Sequence, residues 1–320
     1  MIKKPFVSII IVNFNSGAML GNCLTTLERQ LYKNFEVILV DNGSTDGSLA
    51  YVGERPYPVM VLELGENRGF AVANNRGAEK ARADSIIFLN TDAFPQNIWL
   101  SIMVQAVEKY PHVSAFTSHQ VSFYDQNILD GTGDIYATNG RAWRRDYGAI
   151  LVDGITKDDE VFGFCAAAAF IKKDIFLKLG GFDEDYFCYF EDVDFSLRLR
   201  LAGHTCMHIA KAVVFHIGSA TSGGADSDFS IHYGYRNLVW TYFKSMPLGL
   251  LLKYLPGHLF LNCRHLRDYT MQNRFSVIFR SKVAALLGLP KILLFKRPKV
   301  QRTIKISSRE LEKKLVTDPV

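Results

Sequence analysis

The sequence predicts an α/β protein built on a doubly wound, mostly parallel sheet with a helical, basic C-terminal appendage. Three observations carry that reading. Apolar runs rich in β-branched residues alternate with stretches of helical periodicity through the first half of the chain. The runs are apolar at nearly every position, as expected of parallel strands covered on both faces. Charge is also divided unevenly: residues 236–320 hold 17 Lys/Arg against 4 Asp/Glu, a net +13, so the chain total of +5 leaves −8 for residues 1–235.

The elements follow in order. Val7 to Val12 forms a first strand, although Lys3-Lys4 ahead of it imitates the basic region of a signal peptide. The run is short, leads into Asn13-Phe14-Asn15 and lacks a small-residue cleavage site, so it reads as a buried strand. A helix over about residues 16–31 points Leu20, Leu24, Leu27 and Leu31 inward. A strand over Glu36 to Asp41 enters the turn Asn42-Gly43-Ser44-Thr45-Asp46-Gly47. Pro58 to Leu64, a helix from Gly69 to Arg82, a strand from Ser85 to Leu89 and a helix from Gln96 to Tyr110 continue the alternation. Residues 119–160, rich in Gly, Asp, Tyr and Arg, lose it, and a long irregular segment inside a compact domain is usually functional or mobile. Strands over Ala166 to Ile171 and Ala212 to Phe215, with a helix opening near Glu191 between them, close the core. At 320 residues the chain accommodates one large core plus an appendage, divided as 1–240 and 241–320. Five cysteines without a C-x-x-C pair form no disulfide framework and favour a reducing compartment.

Ligands of open α/β sheets bind beyond the carboxyl ends of the strands, which directs attention to Asn13, Asp41 and Asn90-Thr91-Asp92. Asp41 can accept a hydrogen bond from a pyrimidine imide, or it can cap the Gly43 turn. Asp92 can bind a hard divalent cation that neutralises a diphosphate, or Asn90-Thr91-Asp92 can cap the helix after Pro95. His216 ends an apolar run ahead of Gly218-Ser219 and is either a packed histidine or a ligand. Glu191, Asp192 and Asp194 open a helix. Asp194 and Arg198 have the spacing of an i,i+4 pair, whereas three acids crowded together need a cation or a proton transfer to offset their repulsion.

Taken together, Ser8-Ile9-Ile10-Ile11-Val12-Asn13-Phe14-Asn15, Val40-Asp41-Asn42-Gly43-Ser44-Thr45-Asp46-Gly47-Ser48, Asn67-Arg68-Gly69-Phe70, Leu89-Asn90-Thr91-Asp92, Gly180-Gly181-Phe182-Asp183-Glu184 and Tyr189-Phe190-Glu191-Asp192-Val193-Asp194 closely resemble glycosyltransferase family 2. The likeness is strongest to its bacterial rhamnosyltransferase-like and galactofuranosyltransferase-like branch and covers about residues 5 to 240. It implies a GT-A fold and transfer of a sugar with inversion at the anomeric centre. By that resemblance Asp41 contacts the nucleobase, while Asn13, Asn67, Arg68 and Asn90 line the donor pocket. Asp92 and His216 would bind a divalent cation, Mn²⁺ or Mg²⁺, and Asp192 would be the catalytic base, with Glu191 and Asp194 as secondary candidates. Asn90 replaces the first Asp of the family's D-x-D, which removes one negative charge. The implied partners are a dTDP- or UDP-sugar and a glycan acceptor carried on a polyprenyl diphosphate, in the synthesis of cell-surface polysaccharide.

Two rival functions are weighed by what they require. A sugar-phosphate nucleotidyltransferase normally carries a Gly-rich, Arg/Lys-containing loop after its first strand, where this chain has Asn13-Phe14-Asn15-Ser16-Gly17. A non-catalytic nucleotide-sugar-binding module would not need Asp192. In the tail, apolar runs from Met246 to Leu261 and Val283 to Phe295 are interrupted by Lys253, His258 and Lys291, so neither reaches the roughly 18 to 20 residues of a spanning helix. With abundant Lys/Arg they suit either an interfacial helix on an anionic membrane surface or a subdomain packed on the core. No nucleic-acid-binding module is recognisable. The expected location is cytoplasmic, peripheral on the inner face of the cell membrane.

Overall fold

A computed structural model describes residues 6–151, 157–218, 223–224 and 226–318. Lys3, Lys4 and Ser219 lie outside them. The order is β1 (Val7–Asn13), α1 (Ala18–Glu28), β2 (Phe35–Asp41), β3 (Val59–Glu63), α2 (Phe70–Lys80), β4 (Ser85–Leu89), β5 (Ala93–Pro95), α3 (Trp99–Lys109) and β6 (Ala115–Ser122). Short strands β7 (Leu129–Gly131), β8 (Asp134–Tyr136), β9 (Ala142–Arg144) and β10 (Asp159–Val161) follow, then β11 (Ala168–Lys172), α4 (Lys173–Lys178), α5 (Glu191–Leu201) and β12 (Cys206–His216). The chain continues through α6 (Asp228–Ser245), α7 (Leu248–Met271), α8 (Phe275–Lys291), α9 (Arg297–Gln301) and α10 (Ser308–Glu312).

The main sheet runs β10-β12-β6-β11-β4-β1-β2-β3, with β5 added to β12 and β7 to β6. Its first half is parallel, Ile9 pairing with Val37 and Val7 with Ser85. Successive side chains point to opposite faces, so every second residue joins a different core. Ile9, Ile11, Val37 and Leu39 pack with Leu20, Leu24, Trp99 and Met103 of α1 and α3. Ile10, Ile38 and Val40 pack with Ala71, Phe176, Phe195 and Leu199 of α2, α4 and α5. This is the doubly wound arrangement that the unbroken apolar runs predicted. Its parallel order is interrupted where β11 enters antiparallel to both β4 and β6.

Three expectations need correction. Leu31 is 68% exposed, because α1 stops at Glu28 and the helical period no longer applies. The segment 119–160 is not structureless: β6 runs through its start, and β8 and β9 form a hairpin. The boundary set at residue 240 falls inside α6, which is bonded to the core on both sides of it. Asn237 donates to the carbonyls of Tyr186, Cys188 and Tyr189. Lys244, 1% exposed at its side chain, reaches Asp183 at 2.7 Å and Asp194 at 2.8 Å. Helix α8 packs on α6 so closely that a Cβ on Gly288 would lie 2.3 Å from the Trp240 ring.

Candidate active site

The carboxyl ends of β1, β2 and β4 meet at one edge, as the fold requires. Asn13 is fully buried there, and its amide donates to Asp41 Oδ1 and Ser48 Oγ, both at 2.8 Å, and approaches Ser44 Oγ at 3.0 Å. Asp41 Oδ2 accepts the Ser44 N–H at 3.1 Å. Both residues therefore pin the turn after β2, and neither lines the cleft that opens beside it. Asn42, named in the sequence only as part of that turn and its motif, does line it. Its side chain accepts from Arg68 N and donates to Asn67 Oδ1, each at 2.9 Å. Asn67 faces the cleft, while Arg68 has an exposed side chain outside it. Gly69 has φ +88°, and a Cβ there would lie 2.6 Å from the Phe187 carbonyl, so only glycine fits this approach of two loops.

The cleft measures about 540 Å³ and brings together Asn67, Asn90, Asp92, Glu191, Asp192 and His216 from distant parts of the chain. The segment the sequence left irregular adds Asp134, Trp143 and Arg144 through the β8–β9 hairpin. Asp194 is excluded. It is fully buried, ion-paired with Arg198 at 2.9 Å as its spacing predicted, and held by Lys244 from α6. A carboxylate so engaged joins the tail to α5 and has no access to a substrate, which corrects its standing as a secondary candidate.

In the cleft, β12 and the turn after β4 set His216 Nε2 3.4 Å from Asp92 Oδ1. His216 is 2% exposed, and Nε2 makes no well-aligned hydrogen bond. Its other nitrogen, Nδ1, lies 2.6 Å from Asp130 Oδ2, which also receives the Arg144 guanidinium. Burial alone would lower the imidazole pKa, but the carboxylates of Asp130 and Asp92 outweigh it and raise it. Among the described residues no three His, Cys, Asp or Glu side chains are grouped to hold a metal ion. Asp92 and His216 could hold a cation as a pair: a carboxylate oxygen and an imidazole nitrogen face each other across 3.4 Å in the cleft, a donor set acceptable to Mn²⁺.

Glu191 and Asp192 of α5 line the same cleft. Asp192 is partly exposed, whereas Glu191 is 5% exposed and its Oε2 lacks a partner. The Asp192 carboxylate accepts the backbone N–H of Ala166 at 3.0 Å and of Val193 at 2.8 Å. Desolvation raises its pKa, an effect opposed by those N–H groups and by the charge of Arg144. Burial and the Asp192 charge push Glu191 well above the carboxylate range, and the same two causes raise Asp134. The approach to α5 is strained. Phe187, Tyr189 and Phe190 have φ of 67°, 65° and 66°, a region that side-chain-bearing residues rarely adopt, and Asn237 holds the Cys188 and Tyr189 carbonyls of this stretch. Strain of this kind leaves no mark in the residue types themselves, so the sequence reading could not find it.

The model of glycosyl transferase family 2 matches residues 8–180. N-acetylglucosaminyl-diphospho-decaprenol L-rhamnosyltransferase of Mycobacterium tuberculosis is 25% identical over 237 residues, which cover 67% of this chain and 77% of that protein. The uncharacterized glycosyltransferase YfnE of Bacillus subtilis is 27% identical over 239 residues, 62% of this chain and 61% of that one. Among solved structures, the mannosyltransferase PcManGT from Pyrobaculum calidifontis, in complex with GDP-Man and Mn²⁺, superposes with a TM-score of 0.56 at 17% identity, covering 94% of this chain and 84% of that one. GalNAc-T7 with UDP, GalNAc and Mn²⁺ gives a TM-score of 0.62 at 16% identity, over 76% and 48% of the two chains. Both likenesses establish the GT-A fold.

Proposed function

The chain belongs to glycosyl transferase family 2 and is a glycosyltransferase; on that premise we propose that it moves a sugar, rhamnose or a hexose, from a dTDP- or UDP-linked donor to a glycan acceptor, with inversion and with the help of a divalent cation. The observation that carries this reading is that one cleft is lined both by Asp192 and by the Asp92–His216 pair. Asp192 takes the proton of the acceptor hydroxyl as its oxygen forms a bond to the anomeric carbon. The bond from that carbon to the diphosphate breaks, and its electron pair leaves with the diphosphate. Attack opposite the leaving group inverts the centre. Asp92 and His216 would hold the cation, which stabilises negative charge on the departing diphosphate without a protonated acid. The raised pKa of Asp192 suits the role, because a base titrating closer to the working pH accepts the proton more readily.

The acceptor is proposed to be a glycan on a polyprenyl diphosphate, the class named in the Mycobacterium relative. A surface that can meet lipid supports it. No helix among the described residues is long and apolar enough to cross a membrane. Helices α7 and α8 nevertheless each bury one side and expose apolar residues on the other: Leu252, Leu259 and Phe260, then Phe279, Leu286 and Leu287. Exposed Arg267 and Arg280 flank them. Such a face suits peripheral attachment to an anionic cytoplasmic leaflet. The reaction is tested by incubating the protein with Mn²⁺, each nucleotide-sugar and a prenyl-diphosphate-linked GlcNAc acceptor, and reading the product's anomeric configuration by NMR. Inversion is expected, and a product with the donor's configuration contradicts the single displacement.

A further inference from the structure

Asp130 belongs to no motif of the chain, yet it makes one of the shortest side-chain contacts beside the cleft. It sits on β7, antiparallel to β6, with its side chain 9% exposed. Its Oδ2 lies 2.6 Å from His216 Nδ1 and receives the Arg144 guanidinium as well. An ionised carboxylate can only accept, so Nδ1 carries the proton and donates it, and the ring cannot turn without breaking the contact. The consequence falls on the opposite nitrogen. Nε2 is left facing the cleft, 3.4 Å from Asp92 Oδ1, without a well-aligned partner. Arg144 comes from β9, directly opposite Asp134 in the hairpin, and its charge also acts on Asp134 and Asp192. One guanidinium thus braces the support of the histidine while its charge reaches the acids that line the same cleft.

We propose that Asp130, braced by Arg144, is a positioning residue that fixes the His216 ring so that Nε2 and Asp92 converge on one cation. This rests on the cation reading of the preceding subsection and extends it to residues supplied by the segment between β6 and β10. A histidine that ligates a metal through one nitrogen is commonly oriented by a carboxylate on the other, and loss of such a carboxylate typically weakens metal affinity about 10- to 100-fold. A purely structural Asp130 would instead hold β7 and β9 together, and its loss would be felt whether or not His216 were present.

A double-mutant cycle on Mn²⁺ affinity separates the two. Mn²⁺ is titrated calorimetrically into the wild type, Asp130→Asn, His216→Ala and the double variant, with UDP present and, separately, with dTDP, after thermal melts have shown each protein to be folded. Asp130→Asn is expected to weaken Mn²⁺ binding about 10- to 100-fold in the wild-type background. In the His216→Ala background it is expected to change affinity less than about twofold, the scatter of independent sites. Wild-type affinity in folded Asp130→Asn, or equal losses in both backgrounds, overturns the positioning role and leaves the cation reading standing. Unchanged affinity in His216→Ala overturns it too, and a wild type that binds no Mn²⁺ overturns it together with the cation reading. Should Asp130→Asn not fold, Arg144→Gln keeps the Asp130–His216 contact without its brace. A smaller loss that disappears in the His216→Ala background supports the proposal, and no loss overturns it.

Discussion

His216 and Asp92 lie within 3.4 Å of each other although 124 residues separate them in the chain, because β5 returns antiparallel onto β12 and pairs Ala93 with His216. Their closeness makes the histidine's contribution measurable. His216→Ala is expected to reduce Mn²⁺-supported transfer and to raise the Mn²⁺ concentration needed for half-maximal rate, since imidazole suits Mn²⁺ better than Mg²⁺. An unchanged metal requirement contradicts the histidine's role, and full activity in excess chelator contradicts the cation itself. The acids of α5 show where sequence reasoning stops. Asp192 and Asp194 are two residues apart on a helix that turns roughly 100° per residue, so they face nearly opposite sides. One side meets the cleft and the other meets Lys244 of α6. The motif names both acids, and only the packing of α6 separates their tasks. Asp130, Asp134 and Arg144 were hidden for another reason: three-residue strands carry too short an alternation for their faces to be read.

Helix α6 is the element that joins tail to site. Its Asn237 holds the Cys188 and Tyr189 carbonyls in the strained stretch before Asp192, and its Lys244 meets Asp183 in a largely buried contact that Lys296 shares at 2.7 Å. Burial alone would raise the Asp183 pKa, but the charges of Lys244 and Lys296 prevail and hold it far below the carboxylate range. A carboxylate depressed on folding contributes stability that is fully present above its unfolded pKa of about 3.9 and is lost as pH falls from there toward the folded value. Asp183→Asn is therefore expected to cost about 3 to 5 kcal/mol at pH 7, the range for breaking a buried pair. In urea unfolding the gap from wild type should narrow as pH falls below about 4. A gap independent of pH contradicts the assignment. The β1, β2 and β4 strands needed no such long-range knowledge, because their apolar runs and the polar residues ending them are local. The antiparallel entry of β11 was unreadable, since its pairing with β4 joins Ala169 to Phe88 across a long stretch of chain.

The molecule as a whole sets an acidic, cleft-bearing core against a basic helical tail, but part of the tail's charge is already used. Lys244, Lys291 and Lys296 pair with Asp183 and Asp185, and Lys314 with Glu160, so the net +13 overstates what an anionic surface would meet. The apolar face of α7 and α8 should then contribute more to attachment than charge does. The protein is expected to sediment with anionic vesicles and to be released partly by salt. Leu286→Glu with Leu287→Glu, on the exposed side of α8, should abolish sedimentation while leaving the melting temperature unchanged. A wild type that stays in the supernatant at low salt contradicts membrane attachment. Activation of the acceptor hydroxyl by Asp192 is tested by following release of nucleoside diphosphate by wild type and Asp192→Asn with donor, Mn²⁺ and acceptor, beside calorimetric binding of the nucleoside diphosphate. Release is expected to require acceptor and to fall by about two to four orders of magnitude in the variant, with nucleotide affinity retained. Near-normal release by a folded Asp192→Asn protein would contradict it.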